Sequence, residues 1–293
     1  MENISKIAFI IVLGMIWNCE TSRKRQQAEA SRQSVVTSLA HYNLDKPEKF
    51  NMPESLLEIS GIAFHEQLND TIYAINDEEG KVFRLGWNIP KQLHSKFGKQ
   101  GDYEDLSIAN GIVYVLKSNG VLYSFPFADA IYTELDQVRE IKTLLPKGEY
   151  EGMYADQFNN QLYVLCKRCD ADYSWNTTTG YIIELDESSK TATSFQIDVK
   201  DIKQFKGKVK EGFRPSGLAR DPLSGEWYII SAANKLLVVT DSKWNIKEAF
   251  PLSSNVFTQP EGIAFDKIGN LYISNEGDDL ANGNILKFTR VNP

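Results

Sequence analysis

Five times between Glu58 and the C-terminus the chain repeats one short pattern. A three-residue step, Ser60-Gly61-Ile62, returns as Glu104-Asp105-Leu106, Glu151-Gly152-Met153, Ser216-Gly217-Leu218 and Glu261-Gly262-Ile263. Each step leads through a turn into an apolar run with a tyrosine in the equivalent place: Tyr73, Tyr114, Tyr163, Tyr228 and Tyr272. The middle residues of successive steps lie 44, 47, 65 and 45 positions apart. Short apolar runs bounded by Gly, Asn and Asp read as strands joined by tight turns. The first unit offers four of them, at 59–64, 71–76, 81–85 and 92–97. Four strands in a period of roughly 40–50 residues specify an all-β fold, a β-propeller. Five four-stranded blades are expected, with six as the alternative if the long third interval hides a degenerate one. The last unit holds only three strands, at 262–266, 270–274 and 284–289. A ring must not leave open edges, so the segment at 42–52 is expected to supply the missing outer strand.

The residues that carry this pattern also resemble a known family. The Ser/Glu-Gly-Ile/Leu-Ala steps, the run Gln259-Pro260-Glu261-Gly262-Ile263-Ala264-Phe265-Asp266 and the later Ile273-Ser274-Asn275-Glu276 are similar to those of the SdiA-regulated, YjiK-like propellers. The resemblance runs from about Glu58 to the C-terminus. It implies the propeller fold and a place in the bacterial cell envelope far more than it implies an activity.

The N-terminus agrees with that location. An apolar run from Ile7 to Trp17, too short to cross a bilayer, reads as the core of a signal peptide and stops at Asn18-Cys19. A cysteine there resembles the lipobox of bacterial lipoproteins, although Asn18 replaces the usual Gly or Ala; an uncleaved signal anchor and plain secretion are the alternatives. The division is therefore a lipoprotein signal peptide at 1–18, a polar tether at 19–39 beginning with a lipid-bearing Cys19, and the propeller at 40–293. Glu20 in place of Asp retains nothing at an inner membrane, which directs the protein to an outer membrane if the cell has one. Cys166 and Cys169 remain as an even pair, read as a disulfide, as free thiols or as a redox or metal pair. A formal net charge of -7 argues against a nucleic-acid partner. The partners expected are the membrane, through the lipid, and a small ligand or an envelope protein.

Chemistry in such a ring gathers where the innermost strands begin. Symmetry brings Ser60, Glu104, Glu151, Ser216 and Glu261 to one level around the axis. Three converging carboxylates raise one another's pKa unless a cation sits among them. Calcium suits such a site because it takes six to eight oxygens in irregular geometry, and Asn76-Asp77 and Asn275-Glu276, in corresponding places, add further oxygens. The expected metal ligands are Glu104, Glu151, Glu261, Asp77, Asn275 and Glu276. The plain alternative is that these residues only accept hydrogen bonds between blades or cap turns. Lys117 falls in the corresponding place of the second unit, while Arg214, Arg220 and Lys167 read as anion contacts or solvated surface. Tyr173 and Trp175, in an inserted loop, contact a ligand or pack on their own blade. No nucleophile elbow or phosphate loop occurs, and none of the three histidines has a central place. The function expected is ligand or partner binding; the rival is a calcium-dependent hydrolase, phytase-like or lactonase-like, with Glu104, Glu151, Glu261 and Asn275 holding the metal.

Overall fold

The computed structural model describes residues 39–87, 92–172, 176–185, 191–202, 205, 212–278 and 280–291. The signal segment, Cys19, all of the tether but its last residue, and Tyr173 and Trp175 lie outside the described residues.

Among the described residues, twenty strands form five antiparallel sheets of four. After β1 (Glu48–Asn51), the first blade is β2 (Ile59–Ala63), β3 (Thr71–Asn76), β4 (Lys81–Gly86) and β5 (Leu93–Lys96). The second is β6 (Tyr103–Ala109), β7 (Ile112–Lys117), β8 (Leu122–Pro126) and β9 (Arg139–Ile141). The third is β10 (Gly148–Asp156), β11 (Gln161–Cys169), β12 (Thr177–Glu184) and β13 (Ala192–Asp198). The fourth is β14 (Gly217–Arg220), β15 (Trp227–Ser231), β16 (Leu236–Thr240) and β17 (Ile246–Pro251). The fifth contains β18 (Pro260–Phe265), β19 (Leu271–Asn275) and β20 (Asn284–Phe288), and β1 completes it in the order β1-β20-β19-β18. The expected closure by the N-terminal segment is therefore present, with Glu48 opposite Lys287 and Asn51 opposite Asn284.

A sixth blade is overturned. The long interval between the third and fourth steps is taken up by β10 and β11, nine residues each, and by the connection that follows Asp198. The inserted loop that carries Tyr173 and Trp175 is shorter than the insertion expected from Asp170 to Gly180: β11 runs to Cys169 and β12 begins at Thr177. Cys166 and Cys169 are disulfide-bonded at the end of β11, with their Cα atoms 5.9 Å apart.

The recurring tyrosine is explained by register. Tyr73, Tyr114, Tyr163, Tyr228 and Tyr272 stand opposite Ala63, Ser107, Tyr154, Ala219 and Ala264, each two residues beyond the middle of its step. In four of five blades the opposite residue is small, which leaves room for the ring to pack across the strand pair. The core is correspondingly divided into five clusters, each between two neighbouring blades. Leu39 and Tyr42 are buried in the cluster between the fourth and fifth blades. Tyr42 donates its hydroxyl hydrogen bond to the Gly269 carbonyl at 2.6 Å and accepts one from Arg290 at 2.9 Å. The propeller unit thus begins with side chains locked between blades.

The innermost strands β2, β6, β10, β14 and β18 touch one another in a closed ring. Glycine in the step follows from that crowding. A Cβ on Gly262 would lie 2.5 Å from the Ser60 carbonyl oxygen, and one on Gly217 would lie 2.7 Å from that of Glu261. The second blade carries Asp105 instead, and its buried carboxylate accepts from the backbone N–H of Met153 in the next blade at 2.7 Å. Serines stitch two further junctions: Ser216 Oγ donates to the Pro260 carbonyl at 2.7 Å and Ser274 Oγ to that of Ser60 at 2.7 Å.

Candidate functional site

At each step the innermost strand carries one residue more than its partner, except in β14. Tyr103 pairs with Lys117 and Asp105 with Leu116, leaving Glu104 unpaired; Tyr150 and Gly152 pair with Cys166 and Leu165, leaving Glu151 unpaired. Register also shifts between Pro260 and Ile263, a span that holds Glu261, and between Ile59 and Ile62, a span that holds Ser60. Such bulges re-aim a side chain out of the pleat. Three glutamates are turned this way at one end of the ring.

A second tier lies four residues after each tyrosine, just past the end of the second strand except in β11, which runs on to Cys169. Asp77, Ser118, Lys167, Ala232 and Glu276 occupy it. The backbone confirms the equivalence: Asp77, Ser118 and Glu276 donate their N–H to the carbonyls of Glu58, Asp102 and Gln259.

Glu104, Glu151 and Glu261 sense one another's charge. Burial, then Glu151 and Asp102, push the Glu104 carboxyl up to about 9. Burial and the Glu151 and Glu276 carboxylates hold Glu261 well above the ordinary carboxylate range, and burial raises Glu151 against the pull of Lys167. Burial with Asp77 and Glu58 brings Glu276 to about 7, and burial with Glu58 and Glu78 brings Asp77 to about 6. Lys167 is the counter-ion: its ammonium donates to Glu151 Oε1, and although burial disfavours its charge, Glu151, Glu104 and Glu261 outweigh this and raise its pKa.

Sequence reasoning thus placed Glu104, Glu151, Glu261, Asp77 and Glu276 at one mouth of the ring, and the structure brings their charges together there. Asn275 stands apart in β19, fully buried, with its amide nitrogen donating to Asn284 Oδ1 at 3.2 Å. Ser60 and Ser216 join blades rather than face a ligand, as Ser60 Oγ donates to the Glu104 carbonyl. Lys167, an anion contact or solvated surface on sequence grounds, is the residue around which the glutamates balance. Its signal was in the sequence: it lies four residues after Tyr163, as Asp77 follows Tyr73 and Glu276 follows Tyr272. Arg220 belongs to the opposite end, where it pairs with the buried Asp156 at 2.7 Å.

The donor set fits calcium only in part. Among the described residues Asp77 Oδ1, at the mouth, is buried without a hydrogen-bond partner, which favours a ligand nearby. Against this, among the described residues no group of three or more His, Cys, Asp or Glu is disposed to hold a metal ion. Lys167 already supplies a positive charge beside Glu151. The mouth has the charge for a cation but not a closed metal cage.

A pH effect follows directly. The folded chain retains protons on Glu276 and Glu104 that the unfolded chain releases near the ordinary value of 4.5. Their stabilising contribution is therefore full below about pH 4.5 and is lost as pH rises through about 7 and about 9. Without added ligand, these two groups should lower the melting temperature between pH ~5 and ~9. Glu104→Gln should flatten that fall, gaining about 2–4 °C at the alkaline end for each kcal/mol of repulsion relieved. An unchanged slope in the variant would contradict the assignment.

A model of the SdiA-regulated family matches residues 36–279. The chain belongs to that family. A search of curated proteins finds no match to the sequence. Among solved structures, glutaminyl cyclase of Myxococcus xanthus is similar at 12% identity and a TM-score of 0.58, covering 84% of this chain and 96% of that one. A luciferin-regenerating enzyme is similar at 11% identity and a TM-score of 0.50, with the same coverage. Regucalcin of Agrobacterium tumefaciens, a calcium-binding protein, is similar at 12% identity and a TM-score of 0.46, covering 86% and 95%. At these identities the likeness shows the fold alone.

Proposed function

We propose that this chain is a lipid-anchored β-propeller of the cell envelope that binds the cationic group of a small ligand or of an envelope protein at its acidic mouth. The observation that carries the reading is the convergence of Glu104, Glu151 and Glu261 on the Lys167 ammonium, with Lys235 near Glu261 alone. With Glu276 beside them the carboxyls outnumber these two ammoniums, so carboxyls stay protonated near neutral pH, and an incoming cation gains by ionising them. An organic ammonium or guanidinium fits best, because it can donate to several carboxylates without needing a closed ligand cage. The lipid anchor rests on the apolar run from Ile7 to Trp17 and the Cys19 that follows. Cys19→Ala is expected to release the protein from membranes.

Calcium is the second reading, favoured by the unpartnered Asp77 Oδ1. If calcium holds the site, Glu104, Glu151, Glu261 and Glu276 are its carboxylates, and it supplies a Lewis acid to which a phosphate ester or lactone could be presented. The two readings separate on Lys167. Replacing it by Met removes the ammonium that competes for the same glutamates. Under the calcium reading K167M should bind calcium at least about tenfold more tightly, which at saturating metal adds about 1.4 kcal/mol to stability. Thermal shift with calcium, spermidine and arginine, on the parent chain, K167M and Glu261→Gln, decides. A shift with the organic cations that Glu261→Gln abolishes supports ammonium binding, and one with calcium alone supports the metal. No shift with any of them sinks both.

A further inference from the structure

The end of the ring opposite the acidic mouth is built to display apolar side chains. There the hairpin turn after the innermost strand repeats one design in three blades. Asp156, Asp221 and Asp266, all buried, accept the backbone N–H of Phe158, Leu223 and Ile268 on Oδ1 at 2.9, 2.9 and 3.1 Å. The aspartate fixes the turn, and the residue it holds points outward: Phe158 is 88% exposed, Leu223 57% and Ile268 61%. All three lie six residues past the glycine of their step. The turn geometry needs only the aspartate, so nothing in folding requires a large apolar residue there.

These side chains form an arc. Leu68, 38% exposed on the first blade's turn, lines one cavity with Ile268. A Cβ on Gly269 would meet Leu223 Cδ1 at 3.0 Å, so the turns of the fourth and fifth blades adjoin. Phe158 closes the arc beside Arg220. The second blade's turn, only Asn110-Gly111, carries no apolar residue.

The described chain enters the propeller on this same rim. Tyr42 bonds to Gly269 in the fifth blade's turn, and Arg290 ties Tyr42 to Asp221 in the fourth's, at 2.9 and 2.8 Å. Ahead of it lie the basic Arg23-Lys24-Arg25 and the apolar run ending at Trp17. Twenty residues separate Cys19 from Leu39, a reach of at most about 70 Å. Exposed Lys267 sits beside Ile268 and suits an anionic headgroup.

We infer that the arc of Leu68, Ile268, Leu223 and Phe158 is a membrane-contact surface, which sets the propeller on the lipid with its acidic mouth facing away. Apolar side chains with a neighbouring lysine, carried on short turns, insert at the headgroup boundary, and the anchor keeps them at high local concentration there. The inference rests on the lipid-anchor reading above.

The test uses the full chain reconstituted in phosphatidylethanolamine–phosphatidylglycerol vesicles. An environment-sensitive fluorophore is placed at Ile268→Cys or, on the acidic rim, at the exposed Asn119→Cys; the parent chain gives the labelling background. Quenching by nitroxide-bearing lipids should be several-fold stronger at 268 than at 119, and Phe158→Ser with Leu223→Ser should reduce it. Equal quenching at both positions in a chain that sediments with vesicles overturns the membrane contact and leaves the anchor standing. A chain that does not sediment overturns both. A concentration-dependent blue shift at 268 without lipid assigns the arc to a second copy of the chain and overturns the inference.

Discussion

Gly262→Ala is expected to destabilise the propeller by about 3 kcal/mol or more, a large part of the total stability of an ordinary domain. The added methyl would lie 2.5 Å from both the Ser60 carbonyl oxygen and Ser274 Oγ, and 3.0 Å from the Ile62 nitrogen. None of these can retreat. Ser274 Oγ donates to Ser60 at 2.7 Å and accepts from the Gly262 N–H at 2.8 Å, and the ring of innermost strands is closed behind them. The control is Gly111→Ala, where φ is +72° but nothing lies within 4 Å of the added methyl. That change carries only the left-handed backbone cost, about 1 kcal/mol. Urea unfolding of the two variants should differ accordingly, and equal midpoints would mean that the step glycines are not set by blade crowding.

A chain shortened to begin at Pro53 should fail to give a soluble monomer. It loses β1, and with it the hydrogen-bonded partner of β20 along Asn284–Phe288. Tyr42 and Leu39, buried between the fourth and fifth blades, go too, as does Met52 from the cluster between the fifth and first. Deleting one buried aromatic costs about 3–5 kcal/mol, and an unpaired apolar edge invites association. A shortened chain that stays monomeric with an unchanged melting temperature would show that closure by the N-terminal strand contributes little.

Much of this architecture was legible in the residues because it rests on local chemistry repeated five times. The tyrosine spacing encodes strand register, the Gly-Ile and Gly-Leu steps encode the crowding at the axis, and the three-stranded last unit encodes closure. What the residues concealed was non-local. The bulges that turn out Glu104, Glu151 and Glu261 depend on how each strand pairs and leave no mark in composition. Lys167 reads as an anion contact or solvated surface because two of its partners, Glu104 and Glu261, stand in other blades and only Glu151 shares its own. The six-blade alternative survived in the sequence because a long interval reads alike whether it holds a blade or longer strands. Asn275 matched the ligand pattern by position, yet one residue along a strand reverses the face, and its side chain turns to Asn284 instead.

The central claim is that the mouth holds protons that a bound cation must displace. Calorimetric titration with an organic polyamine such as spermidine, at about pH 7 in two buffers of different ionisation enthalpy, counts those protons directly. Binding should release protons in the parent chain, and both release and affinity should fall in Glu104→Gln with Glu261→Gln. Binding that proceeds with no proton release, at an affinity unchanged in that double variant, would contradict it.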